Sequence, residues 1–121
     1  PGRLRAVDAV LQQVGAAFGP GALLETARVA RGLLGLADAE QVGPGTSRVT
    51  MAASAVDRAT LLLDERPLSR QALVDAASEV VATSDSRLSR YSLELEDALA
   101  EQAPWATERP VQWARERPTG R

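Results

Sequence analysis

The tripeptide Gly-Pro-Gly stands at positions 19–21 and again at 43–45, and Arg66-Pro67 adds a third interruption. Proline removes a backbone donor and clashes with the preceding turn, while glycine favours reversals, so no helix or strand runs through these points. Within the stretches they delimit, apolar residues recur at three- and four-residue spacing, the period of a helix with one buried face. Segment 46–65 carries the broadest such face. Val49, Ala52, Ala53, Val56, Ala59 and Leu63 form its stripe, and Met51, Ala55 and Leu62 widen it past half the circumference. A stripe that wide predicts neighbours on two sides. Leu61 falls on the opposite side, among Thr50, Ser54 and Asp57. A leucine exposed there predicts a contact with the C-terminal tail or a partner.

Four further segments share the helical period. In 3–18, Leu4, Val7, Leu11, Val14 and Phe18 form a seam of two heptads, too short for a coiled coil and so read as facing the core. In 22–40 the stripe is Leu23, Ala27, Ala30, Leu34 and Ala37, broadened by Leu24, Leu33 and Leu36, with Glu25 and Arg28 placed to pair outside. Gly32 and Gly35 lie inside that helix, where each costs about 1 kcal/mol relative to Ala. They predict a neighbour that approaches closely.

Ser69 is a fitting N-cap for a helix over 70–83, with Leu68 stapling onto Leu73 and with Leu73, Ala76, Ala77, Val80 and Val81 buried. The capping cluster Thr83-Ser84-Asp85-Ser86 precedes a helix over 87–102, whose seam is Leu88, Tyr91, Leu95, Ala98 and Leu99. No alternating strand pattern occurs. The expected fold is all-α: a compact, mostly antiparallel five-helix bundle over 1–103, followed by a short-helix or irregular tail over 104–121.

Composition narrows the function. Hydrophobic residues make up 45% of the chain but aromatics only 3%, so the core is built from small side chains over which helices approach closely. The chain lacks Lys, Ile, Asn, Cys and His, and all 14 basic residues are Arg. That joint absence points to GC-rich coding rather than to a selected phosphate-binding surface. A net charge of −2 argues against nucleic acid or an anionic membrane as partner. No apolar run reaches a membrane span, and with no disulfide or thiol chemistry available the expected location is cytoplasmic.

Without His, Lys or Cys, the usual acid–base and nucleophilic groups are missing, so no catalytic, cofactor-binding or metal-binding residue is assigned and the chain reads as non-enzymatic. Two other patterns suggest different functions. Glu94, Asp97 and Glu101, opposed by Asp75 and Glu79, resemble the oxygen-ligand set of a Mg-dependent all-α nucleotide hydrolase. They lie opposite the apolar seams, however, as a solvated acidic face does. Segment 77–91 has the outline of a helix-turn-helix, as in a DNA-binding regulator, with Arg87 and Arg90 at the start of its second helix. Its turn lacks glycine, and Asp75, Glu79, Glu94 and Glu96 would repel DNA.

The tail holds the most distinctive pattern. Trp105-Ala106-Thr107-Glu108-Arg109-Pro110 recurs eight residues later as Trp113-Ala114-Arg115-Glu116-Arg117-Pro118, and both tryptophans of the chain are here. In each unit Arg stands four residues after Trp, where its guanidinium can cover the indole. Pro104 and Pro110 suit first turns of short helices. Trp and Arg are the residues enriched at binding hot spots. The expected function is therefore a helical adaptor or regulatory module acting through protein–protein contacts, with a partner protein or as a homodimer. Its expected interface is Trp105, Arg109, Trp113 and Arg117, with Leu61. The competing expectation is a tail folded back onto its own bundle.

Overall fold

The computed structural model describes residues 24–63 and 69–117. Among these residues the fold is all-helical, without a strand: α1 (Leu24–Glu40), α2 (Arg48–Leu62), α3 (Arg70–Ser78), α4 (Asp85–Gln102), a 3₁₀ turn (Pro104–Thr107) and α5 (Pro110–Glu116). The helix expected over 3–18 and the staple from Leu68 lie outside the described residues.

α2 is the centre of the bundle, packed against α1, α3 and α4. Every residue from 50 to 60 is buried. The side expected to carry Thr50, Ser54 and Asp57 into water is thus enclosed, and Leu61 is half-buried rather than stranded. This corrects the amphipathic reading, and hydrogen bonding supplies the reason. Ser54 Oγ donates to the Thr50 carbonyl at 2.8 Å. Ser47 Oγ donates to Thr50 Oγ1, which donates to Thr83 Oγ1 at 3.2 Å across the bundle. Thr60 Oγ1 donates to the Asp57 carbonyl at 2.7 Å. Polar groups satisfied in this way can be buried without the usual penalty.

The connection from α1 to α2 is built on positive φ. Gln41 has φ 54°, and the Val42 amide donates back to the Ala37 carbonyl at 2.9 Å, closing α1 with a Schellman-type bond. Gly43 follows at φ 59°, and a β-carbon there would lie 2.6 Å from Met51 Cε and 3.0 Å from Tyr91 Cε1. Both the conformation and the space exclude a side chain. Ser47 then caps α2 by accepting from the Thr50 amide.

α3 is capped by Ser69, whose side chain accepts from the Ala72 amide. It ends at Ser78, not near 83 as its apolar pattern implies. Val80 and Val81 both donate to the Ala77 carbonyl, a tightened last turn that leaves Val80 65% exposed. The β-branched pair is a poor helix continuation, and Thr83 is held at α2 through its bond with Thr50. α4 begins at Asp85 under the Ser84 cap, slightly earlier than its seam indicates. Leu24, expected to broaden the buried face of α1, is 61% exposed. The core is otherwise the small-residue one that composition implies, with Leu33, Leu34, Met51, Leu73, Leu88, Leu95 and Leu99 set among alanines.

Candidate functional site

The tail begins where Ala103 leaves helical geometry at φ −151° and Pro104 starts the 3₁₀ turn. Arg109, before proline, is out of helical geometry at φ −132° and ψ 61°, and Pro110 opens α5. The two Trp-Ala units therefore start from proline-bounded turns, and in each the alanine is buried: Ala106 fully, Ala114 nearly so. Both arginines stack as their spacing predicts. Arg109 Cζ lies 5.4 Å from the centre of the Trp105 ring, and Arg117 Cζ lies 4.8 Å from that of Trp113.

The tryptophans then diverge. Trp113 is only 4% exposed and packs on α1 at Gly32, where a β-carbon would lie 2.8 Å from Trp113 Cζ3. Arg117 completes the contact, with Cδ 3.6 Å from that same position and Nη2 3.6 Å from the corresponding one at Gly35. The close neighbour anticipated at these glycines is the tail of the same chain. Trp105 remains 36% exposed, beneath Arg109. Of the residues expected at an interface, Trp105 and Arg109 lie at the surface, Trp113 and Arg117 hold the tail to α1, and Leu61 is half-buried on α2.

Arg109 also lies on the edge of an open groove of about 580 Å³ between the end of α2 and the start of α5. Its described lining comprises Leu62 and Leu63 from α2, and Glu108, Arg109, Pro110, Val111, Gln112 and Arg115 from the tail. Leu62, Leu63, Pro110 and Val111 give it an apolar floor; Arg109, Arg115 and Glu108 give it a charged rim. Arg115 has a side chain 60% exposed, with Glu25 Oε1 3.9 Å from its Nη2. That same oxygen lies 3.9 Å from Arg28 Nε, so it is shared between two arginines. Sequence reasoning named Arg109 but missed the groove, because Leu62 and Leu63 look like ordinary members of a core stripe.

A second polar feature runs through the interior. Arg58, 6% exposed, donates from Nε to the Ser92 carbonyl at 3.0 Å and to Ser92 Oγ at 2.9 Å, and from Nη1 to Glu96 Oε2 at 3.0 Å. Next to it Asp57 Oδ2 meets Arg70 Nη2 at 3.5 Å, and Arg70 Nη1 reaches Asp85 Oδ2 at 3.9 Å. Asp57 Oδ2 and Arg70 Nε make no hydrogen bond. These pairs tie α2 to α3 and α4, and their charges are already compensated. The signal for them was the width of the α2 stripe, which left little circumference to face water.

The other candidate sites are arranged as follows. Glu94 pairs with Arg90 at 3.3 Å, Asp97 and Glu101 are exposed, and no three metal-ligating side chains cluster among the described residues. In segment 77–91, six residues separate α3 from α4; Arg87 is exposed, and Arg90 is engaged by Glu94 and by the Tyr91 ring at 5.4 Å. No described helix is long and apolar enough to cross a membrane. No family model matches the chain, and no curated protein or solved structure shows significant similarity to it.

Proposed function

We propose that this chain is a non-enzymatic adaptor or regulatory module of the cytoplasm that binds a partner protein in the groove between the end of α2 and the tail. The observation that carries this reading is the division of the repeated tail. Its second Trp-Arg unit fastens the tail to α1, while its first leaves Trp105 at the surface, stacked on Arg109, which lines the groove. A tail fastened to α1 by a buried tryptophan fixes one wall of the groove in advance, so binding has less to order. Stacked Trp and Arg at the edge of an apolar depression are hot-spot chemistry. Among the described residues the other exposed large apolar side chains stand apart in sequence: Leu24 on α1, Val80 in the connection after α3, and Leu93 on α4.

Panning a random peptide-display library on the wild-type chain and on Val111→Glu and Arg115→Glu tests this, with circular dichroism confirming that both variants are folded. Sequences enriched on wild type and lost on both variants are expected. Enrichment that is equal on all three proteins, or absent on wild type, would overturn the proposal.

A further inference from the structure

We infer that the groove takes an acidic, amphipathic peptide segment, with aliphatic side chains on its floor and two separated carboxylates on Arg109 and Arg115; this rests on the reading of the groove as a protein-binding site. The floor of Leu62, Leu63, Pro110 and Val111 offers no polar side chain to an incoming group, so it selects apolar anchors. A volume of about 580 Å³ accommodates several side chains rather than one.

The rim selects charge. Arg109 has no carboxylate partner among the described residues; its guanidinium face is taken by Trp105, and a guanidinium stacked in this way still presents in-plane donors to a carboxylate. Among the described residues Arg115 is held only by the shared contact to Glu25 at 3.9 Å, an exposed pairing of small worth. Glu108 is the one carboxylate in the described lining, outnumbered there by two arginines on a chain of net charge −2. The cationic rim is thus a local feature and not part of a generally basic surface. Gln112 adds no charge, and its amide donates to Glu116 Oε2 at 3.1 Å.

Spacing narrows the ligand further. Arg109 immediately precedes α5 and Arg115 lies in its last turn, five residues or about 8 Å of helical rise beyond Pro110. A single carboxylate on an apolar chain, as in a fatty acid, meets one of them only. Two carboxylates spaced along one peptide face meet both, while Glu108 disfavours a further carboxylate beside Arg109.

The test uses three fluorescein-labelled synthetic peptides, each about 14 residues or four helical turns long. All carry the same leucine stripe, flanked by Glu, by Lys or by Ser. Anisotropy titrations with the full chain are expected to rank them Glu, Ser, Lys, with the Glu peptide bound about tenfold tighter than the Ser peptide at low salt. Both arginines are exposed, so Arg109→Glu/Arg115→Glu keeps the helical spectrum, and it is expected to exchange the positions of the Glu and Lys peptides. A ranking led by Lys or Ser, a Glu preference that survives in the double variant, or binding of none of the three would overturn the inference. So would laurate binding more tightly than every peptide and being lost in the double variant. Groove-dependent display binders of neutral or basic composition would sink the acidic ligand alone, whereas the absence of any such binder would remove the protein-binding reading with it.

Discussion

Trp113 fills the space that a side chain at position 32 would need: a β-carbon on Gly32 would stand 2.8 Å from Cζ3 of that ring. The contact joins the last helix to the first described one and explains why α1 tolerates a glycine in its interior. Three residues on, Gly35 is exposed, and the nearest described neighbour of a β-carbon there would be Arg117 Nη2 at an ordinary 3.6 Å. Substitution at the two glycines should therefore have opposite signs. Gly32→Ala forces the indole to move and is expected to destabilise by about 1–2 kcal/mol net of its helix-propensity gain. Gly35→Ala is expected to stabilise by about 0.5–1 kcal/mol. Urea unfolding of the two variants checks the pair.

Asp57 and Arg70 should show an asymmetry of burial. Asp57 is 1% exposed, whereas the Arg70 side chain is 32% exposed and has Asp85 as a second, distant partner. Arg70→Met leaves a carboxylate buried without a counter-charge and is expected to cost about 3 kcal/mol. Asp57→Asn leaves an arginine that can turn toward water and Asp85, and is expected to cost about 1 kcal/mol. Thermal unfolding measured on both variants distinguishes this order from its reverse.

The α1–α2 connection makes a further pair. Gly43→Ala meets Met51 and Tyr91 at φ 59° and is expected to destabilise by about 2 kcal/mol or more. Gln41, at φ 54°, holds a left-handed conformation with a side chain attached, so Gln41→Gly is expected to stabilise by up to about 1 kcal/mol. The midpoint of denaturant unfolding should move in opposite directions for the two.

Much of this architecture was legible in the order of residues. The spans of α1 and α2, the caps at Ser69 and Ser84, the proline starts at 104 and 110 and both Trp–Arg stacks follow from local rules of spacing and capping, which need only residues within about one turn of each other. What was hidden depended on partners distant in the chain. Thr50, Ser54 and Asp57 looked like a solvent face because periodicity separates polar from apolar but cannot see that Thr83 will accept from Thr50 or that Arg70 will come to lie against Asp57. The early end of α3 was masked by Val80 and Val81, apolar residues whose spacing suits a helix but whose turn does not continue. The groove was illegible for the same reason: its floor joins Leu62 and Leu63 to Pro110 and Val111, more than forty positions away. The repeat drew attention to the tail, yet its two units are alike in sequence, and only packing separates an anchor from a surface.

That separation is tested most directly by acrylamide quenching of tryptophan emission in Trp113→Phe, which reports Trp105, and in Trp105→Phe, which reports Trp113, each with and without the leucine–glutamate peptide. The predicted result is strong quenching of Trp105 that the peptide suppresses, and weak quenching of Trp113 that it leaves unchanged. Equal quenching of the two, a more accessible Trp113, or a Trp105 signal indifferent to bound peptide would contradict the account.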